Sequence, residues 1–187
     1  MAIVYRRWWR ALRGPRTTSF PWRPSPELFP PGSRPAEVLQ APPPGLLTRS
    51  LAIRQIDVGS CGGPEAELSL LTSPTYDISR FGYSFTPSPR HADLLLVTGS
   101  LQEAMIPVLR QTYEAMPEPR RVVAMGCCAA ADCPLRPTAA ATADLRKVVP
   151  VHVWVPGCPP APAAIIAGLF AAVGREAPGL KEWVKGR

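Results

Sequence analysis

The residues best equipped for chemistry are five thiols: Cys61, Cys127, Cys128, Cys133 and Cys158. Three apolar, β-like runs end at them: Cys61 follows IDVGS, Cys127-Cys128 follow VVAMG, and Cys158 follows VWVPG. Each arrives on a glycine-bearing turn, with Gly59, Gly62, Gly126 and Gly157 alongside. Glycine lets a backbone approach a bulky group and aim its N–H groups at it. Thiolates gathered from several strand ends are the ligand set of an iron–sulfur cluster. Other thiol chemistry is less well matched. An odd cysteine count without an export signal argues against a disulfide framework. Structural zinc favours C-x-x-C knuckles, and the short pairs here are an adjacent pair and C-x4-C. Unrelated buried thiols remain open, as does a thiol redox or sensor role for Cys127, Cys128 and Cys133, which requires a reactive thiolate.

The elements that must position these thiols alternate between strand and helix. LAIRQIDVG from Leu51 reads as a strand, and PEAELSLL as a helix with Pro64 in its first turn and Leu68 and Leu71 on one face. RFGYSFT is a second strand, and the unbroken run ADLLLVTG suits one buried on both faces of a parallel sheet. Ser100 and Glu103 form a capping-box pattern ahead of a helix carrying Met105, Leu109, Tyr113 and Met116, and Pro107 predicts that this helix restarts there. RVVAMG and VHVWVPG are two more strands, and Ala161 to Val173 is a closing helix. His91 and Asp93 before a core strand, and His152 inside one, read as structural. The alternation predicts an α/β fold with an open, mostly parallel, doubly wound (flavodoxin-like) sheet. Such sheets hold their ligands outside the C-terminal ends of the strands, where the cysteines fall.

Composition divides the chain. Its 187 residues are 46% hydrophobic, enough for one globular core, and ten of the 25 prolines precede residue 50. Residues 1–50 read as a basic, proline-rich extension or tether, and residues 51–187 as the domain. In the extension, Trp8 and Trp9 beside arginines suit a membrane surface, a partner-docking segment or an unstructured tail. The net charge of +7 invites a nucleic-acid reading, but six arginines and no acid lie within residues 1–26, and the remainder has no basic stripe interleaved with aromatics. No nucleic-acid partner is expected. No apolar stretch reaches the roughly 20 residues that span a bilayer, and no secretory pattern is present, so a cytoplasmic location is expected.

From about Ile53 to Gly174 the sequence resembles the small iron–sulfur subunit of group 4 NiFe hydrogenases, of the formate hydrogenlyase and hydrogenase-4 type. That family is homologous to the 20 kDa subunit of NADH-quinone oxidoreductase, respiratory complex I. The segments that carry the resemblance are IDVGSCGGPEAEL, SPTYDISRFGYSFTPSPRHADLLLVTG, YEAMPEPRRVVAMGCCA and VPVHVWVPGCPPAPAAI. The resemblance implies a 4Fe-4S cluster with Cys61, Cys128 and Cys158 as ligands. The fourth position departs: Pro64 stands where the hydrogenase-type pattern has cysteine, and Gly62 where the complex I pattern has it. Cys127 is the expected substitute, with Cys133 as the alternative; a 3Fe cluster or a lost cluster follows if neither ligates. The resemblance further implies a proton-path role for Glu67 and a partner or quinone loop at Tyr76, Asp77 and Arg80. It implies a subunit that is not catalytic alone, peripheral on the inner face of the cell membrane. The implied partners are a hydrogenase large subunit or its 49 kDa-like counterpart in complex I, other iron–sulfur and membrane subunits, and quinone. Two other readings stand beside it: a non-catalytic assembly subunit without a cluster, and the thiol redox or sensor protein.

Overall fold

The structure, a computed structural model, describes residues 36–41, 50–129 and 144–175, with the backbone of 184–185. Among these residues the strands β1 (Ala36–Val38), β2 (Leu51–Asp57), β3 (Tyr83–Phe85), β4 (Leu94–Thr98), β5 (Arg121–Met125), β6 (Val153–Val155) and β7 (Val184–Lys185) form one sheet. Their order is β3-β2-β4-β5-β6-β1-β7. Neighbours from β3 through β6 all run parallel. These five strands stand in the order second, first, third, fourth, fifth, which is the flavodoxin-like winding with its switch point between β2 and β4.

The apolar runs become central strands because both of their faces are covered. Leu94 and Leu96 pack into one core with Val123, Met125, Val153 and Val155, while Leu95 and Val97 pack into another with Val122 and Ala124. The alternation is the period-2 geometry of a strand. Helices α1 (Gly63–Leu70) and α3 (Pro162–Ala172) supply residues to the first core, and α2 (Ile106–Glu114) to the second. All eleven residues of α3 are buried. It lies so close to β6 that a Cβ on Gly168 would sit 2.3 Å from Val155 Cγ2.

Two local expectations need correcting. The sheet reaches back into the segment read as tether: β1 pairs antiparallel with β6, Glu37 opposite Trp154, and parallel with β7. Ala36–Val38 lies between Pro35 and the prolines at 42–44, so its own N–H groups are free to join a ladder. The capping box at Ser100 does not form. Ser100 is buried, its N–H donates to Gly59 O at 3.0 Å, and its hydroxyl has no partner. A 3-10 turn at Glu103–Met105 intervenes instead, and α2 starts with Pro107 in its first turn, as the proline required.

Candidate metal centre

Three turns at the C-terminal ends of the parallel strands build the site. After β2, Asp57 Oδ1 accepts from the N–H groups of Gly59 (2.8 Å) and Ser60 (2.7 Å), which folds the chain back toward Cys61. That turn is fastened to the end of β4: Val58 N donates to Thr98 O at 2.9 Å and Gln102 N to Val58 O at 3.0 Å. Gly99, at φ +89°, has no room for a side chain, because a Cβ there would lie 2.3 Å from Ser60 N. The turns after β5 and β6 are joined in the same way. Gly126 N donates to Val155 O and Cys127 N to Gly157 O, both at 2.8 Å, and Trp154 Nε1 donates to Gly126 O at 3.0 Å.

Cys61, Cys127, Cys128 and Cys158 consequently line one recess, closed by Pro64 and Pro159. Cys61 and Cys158 are exposed, and Cys127 and Cys128 half-buried. The Cys158–Pro159 peptide is cis. Among the described residues no three His, Cys, Asp or Glu side chains converge closely enough to hold a single metal ion. The lining offers four thiols and no carboxylate or imidazole, a donor set of the soft kind that suits iron–sulfur clusters. Pro64 is buried in that lining and has no donor atom to offer. Cys133 lies outside the described residues.

The remaining residues singled out in the sequence lie elsewhere. Glu67 does not line the recess; it is half-buried near Tyr76, whose hydroxyl is held above its usual pKa by burial first and by the Glu67 charge second. Arg80 donates from Nη2 to Pro74 O at 2.8 Å and from Nε to Asp77 O at 3.2 Å, bracing its own loop. The Asp77 carboxylate accepts from the Ser79 hydroxyl at 2.5 Å and from Ser79 N at 3.1 Å. The Ser79 hydroxyl is the main reason its pKa lies below the ordinary carboxylate value.

Sequence reasoning passed over Glu65. Its Oε1 accepts from Thr98 Oγ1 at 2.5 Å and from Gln55 Nε2 at 3.4 Å, and its Oε2 accepts from the Ser60 hydroxyl. The signal was available in principle: Gln55 and Thr98 are polar residues near the C-terminal ends of two strands, and Thr98 closes an otherwise apolar run. Glu65 also borders a groove of about 490 Å³ with Arg54, Leu68 and Phe85. No cysteine lines that groove, so it is not the thiol site despite its size.

Comparison with known proteins agrees with this architecture. Residues 61–172 match the family model described as NADH ubiquinone oxidoreductase, 20 Kd subunit. The chain is 38% identical over 125 residues to the "Probable membrane-bound hydrogenase subunit mbhJ" of Pyrococcus furiosus, covering 67% of this chain and 75% of that protein. It is 37% identical over 128 residues to formate hydrogenlyase subunit 7 of Escherichia coli, covering 68% of this chain but only 50% of that one. Among solved structures, a chain of the membrane-bound sulfane sulfur reductase, an archaeal respiratory membrane complex, superimposes with a TM-score of 0.55 at 30% identity, covering 73% of this chain and 81% of that chain. The resemblance seen in the cysteine-bearing segments therefore holds across the domain, and the chain belongs to the NADH ubiquinone oxidoreductase 20 kDa subunit family.

Proposed function

We propose that this chain is an electron-transfer subunit that holds one 4Fe-4S cluster in a membrane-associated complex of the hydrogenase or NADH-quinone oxidoreductase type. The observation that carries the reading is the convergence of four cysteines from three strand ends on one recess. Cys61, Cys128 and Cys158 are the proposed ligands, and Cys127 completes the set. Its thiol lines the same recess, whereas position 64 offers proline. Such a cluster, when bound, accepts and returns single electrons. The residues of the chain fix where that happens. Hydrogen bonds between the turns hold the cysteine-bearing backbone in place, and α1 begins at Gly63 with its positive end beside Cys61, which favours negative charge in the recess. The two exposed thiols, Cys61 and Cys158, face outward, the side a large catalytic subunit would cover. Other proposed partners are further iron–sulfur and membrane subunits and quinone. Among the described residues no helix is long and apolar enough to cross a membrane, which suits peripheral attachment through partners on the inner face.

Anaerobic purification with iron and sulfide analysis and EPR tests the reading. Iron and sulfide in equal amounts, with an EPR signal on reduction, are expected. Cys127→Ser should abolish or alter that signal; an unchanged spectrum would transfer the fourth ligand to Cys133 or leave a three-cysteine site. Pro64 favours a second reading, a diverged assembly subunit without a cluster, and a wild-type chain that takes up no iron after reconstitution establishes that one instead.

A further inference from the structure

From the hydrogen bonds around α1 we infer that Glu65 is the positioning residue for Cys61, acting through the Ser60 hydroxyl. The inference rests on Cys61 being a cluster ligand, as proposed above. Cys61 is flanked by two peptide N–H groups, and both are held by side chains. Ser60 N donates to Asp57 Oδ1 at 2.7 Å, and Gly62 N donates to Ser60 Oγ at 3.0 Å. A serine hydroxyl has one proton, and here it is given to Glu65 Oε2. Its lone pairs are thereby left to receive Gly62 N–H. The carboxylate is itself anchored on the other side by Thr98 and Gln55, residues of β4 and β2. Glu65 thus ties the thiol-bearing turn to the rigid centre of the sheet, whereas Glu67 has no such tie to the turn. Gln at position 65 would present an NH2 group to one of the two hydroxyls, so it cannot accept from both as the carboxylate does.

Amide exchange at Gly62, followed by NMR in the metal-free full-length chain, reads this tie directly. Glu65→Gln and Ser60→Ala should each speed Gly62 exchange roughly tenfold, the scale of one lost hydrogen bond. The double variant should be no faster than Ser60→Ala alone, because both act on one route. Thr98→Val, which removes one anchor of the carboxylate but leaves the Ser60 bond to it, should speed Gly62 exchange less than Glu65→Gln does, and amides in β4 and β5 should keep their protection in all variants, showing an intact fold. With the cluster loaded to wild-type iron content, Glu65→Gln should shift the EPR g-values. Unchanged Gly62 exchange in Glu65→Gln, or additive effects with Ser60→Ala, overturns the inference. Failure of the wild-type chain to bind iron overturns the cluster reading instead, while the exchange experiment still decides what Glu65 holds.

Discussion

At the N-terminal ends of β2, β4, β5 and β6, polar side chains complete the hydrogen bonding between neighbouring strands; at the C-terminal ends they brace the turns beyond the strands, around a recess lined by four thiols. Asp93 Oδ2 accepts from Ala52 N at 2.9 Å, while Asp93 N donates to Ala52 O and Asp93 O accepts from Arg121 N. His152 Nδ1 accepts from Val122 N at 3.0 Å, and its carbonyl receives Leu39 N and Gln40 N. Arg121 reaches from Nη2 to Ala41 O at 3.1 Å. Across the sheet, the turns after the strands are fastened to one another through main-chain groups and through the side chains of Asp57, Ser60 and Trp154, and four thiols line the recess between them. The difference teaches that bracing between strands and bracing of turns are separate tasks here, and that the thiols gather only at the end where turns are braced.

Substitutions at the two ends should therefore fail in different ways. Cys158→Ser should remove essentially all bound iron while thermal unfolding of the metal-free chain stays within the small range typical of surface changes; iron retention would dissolve the contrast at once. His152 should act in the opposite manner. Burial, then Arg121, push its pKa down to about 4, against a smaller upward pull from Glu118. The unfolded chain takes up this proton below its ordinary value near pH 6.5, and the native chain only near 4. Stability is thus fully present above 6.5 and falls as pH drops through that window, by about 3 kcal/mol. His152→Asn, which keeps an acceptor for Val122 N, should flatten that acid dependence in denaturant titrations of metal-free protein; an unchanged slope would remove His152 from the account. The smallest effect is Asp93→Ala, which orphans Ala52 N and should cost about 1–2 kcal/mol with iron content unchanged.

Legibility followed the same division. β4 and β5 were readable because five consecutive buried residues in each leave a continuous apolar run, and their following glycines made the turns explicit. Those turns brought the cysteine edge into view from sequence alone. β1 was not readable, since three residues among prolines have no periodicity to detect and gain their place only by pairing with β6. Ser100 misled because its spacing to Glu103 suits a cap, whereas the close approach of the β2 and β4 turns buries it. Glu65 and Glu67 both stand early in α1 and look alike as letters. Only the fold shows that Ser60, Gln55 and Thr98 meet at the first of them.

The pairing of β1 with β6 has a practical meaning for the boundary between extension and domain. β6 is only three residues long, yet its far side is shielded by a piece of chain that precedes the first parallel strand. A protein shortened to begin at residue 50 would keep every thiol and every parallel strand. It would also present a bare row of peptide groups beside the fully apolar α3, which is the kind of surface that recruits other chains. Residues 36–38 thus cover the edge of β6 that the parallel strands leave open.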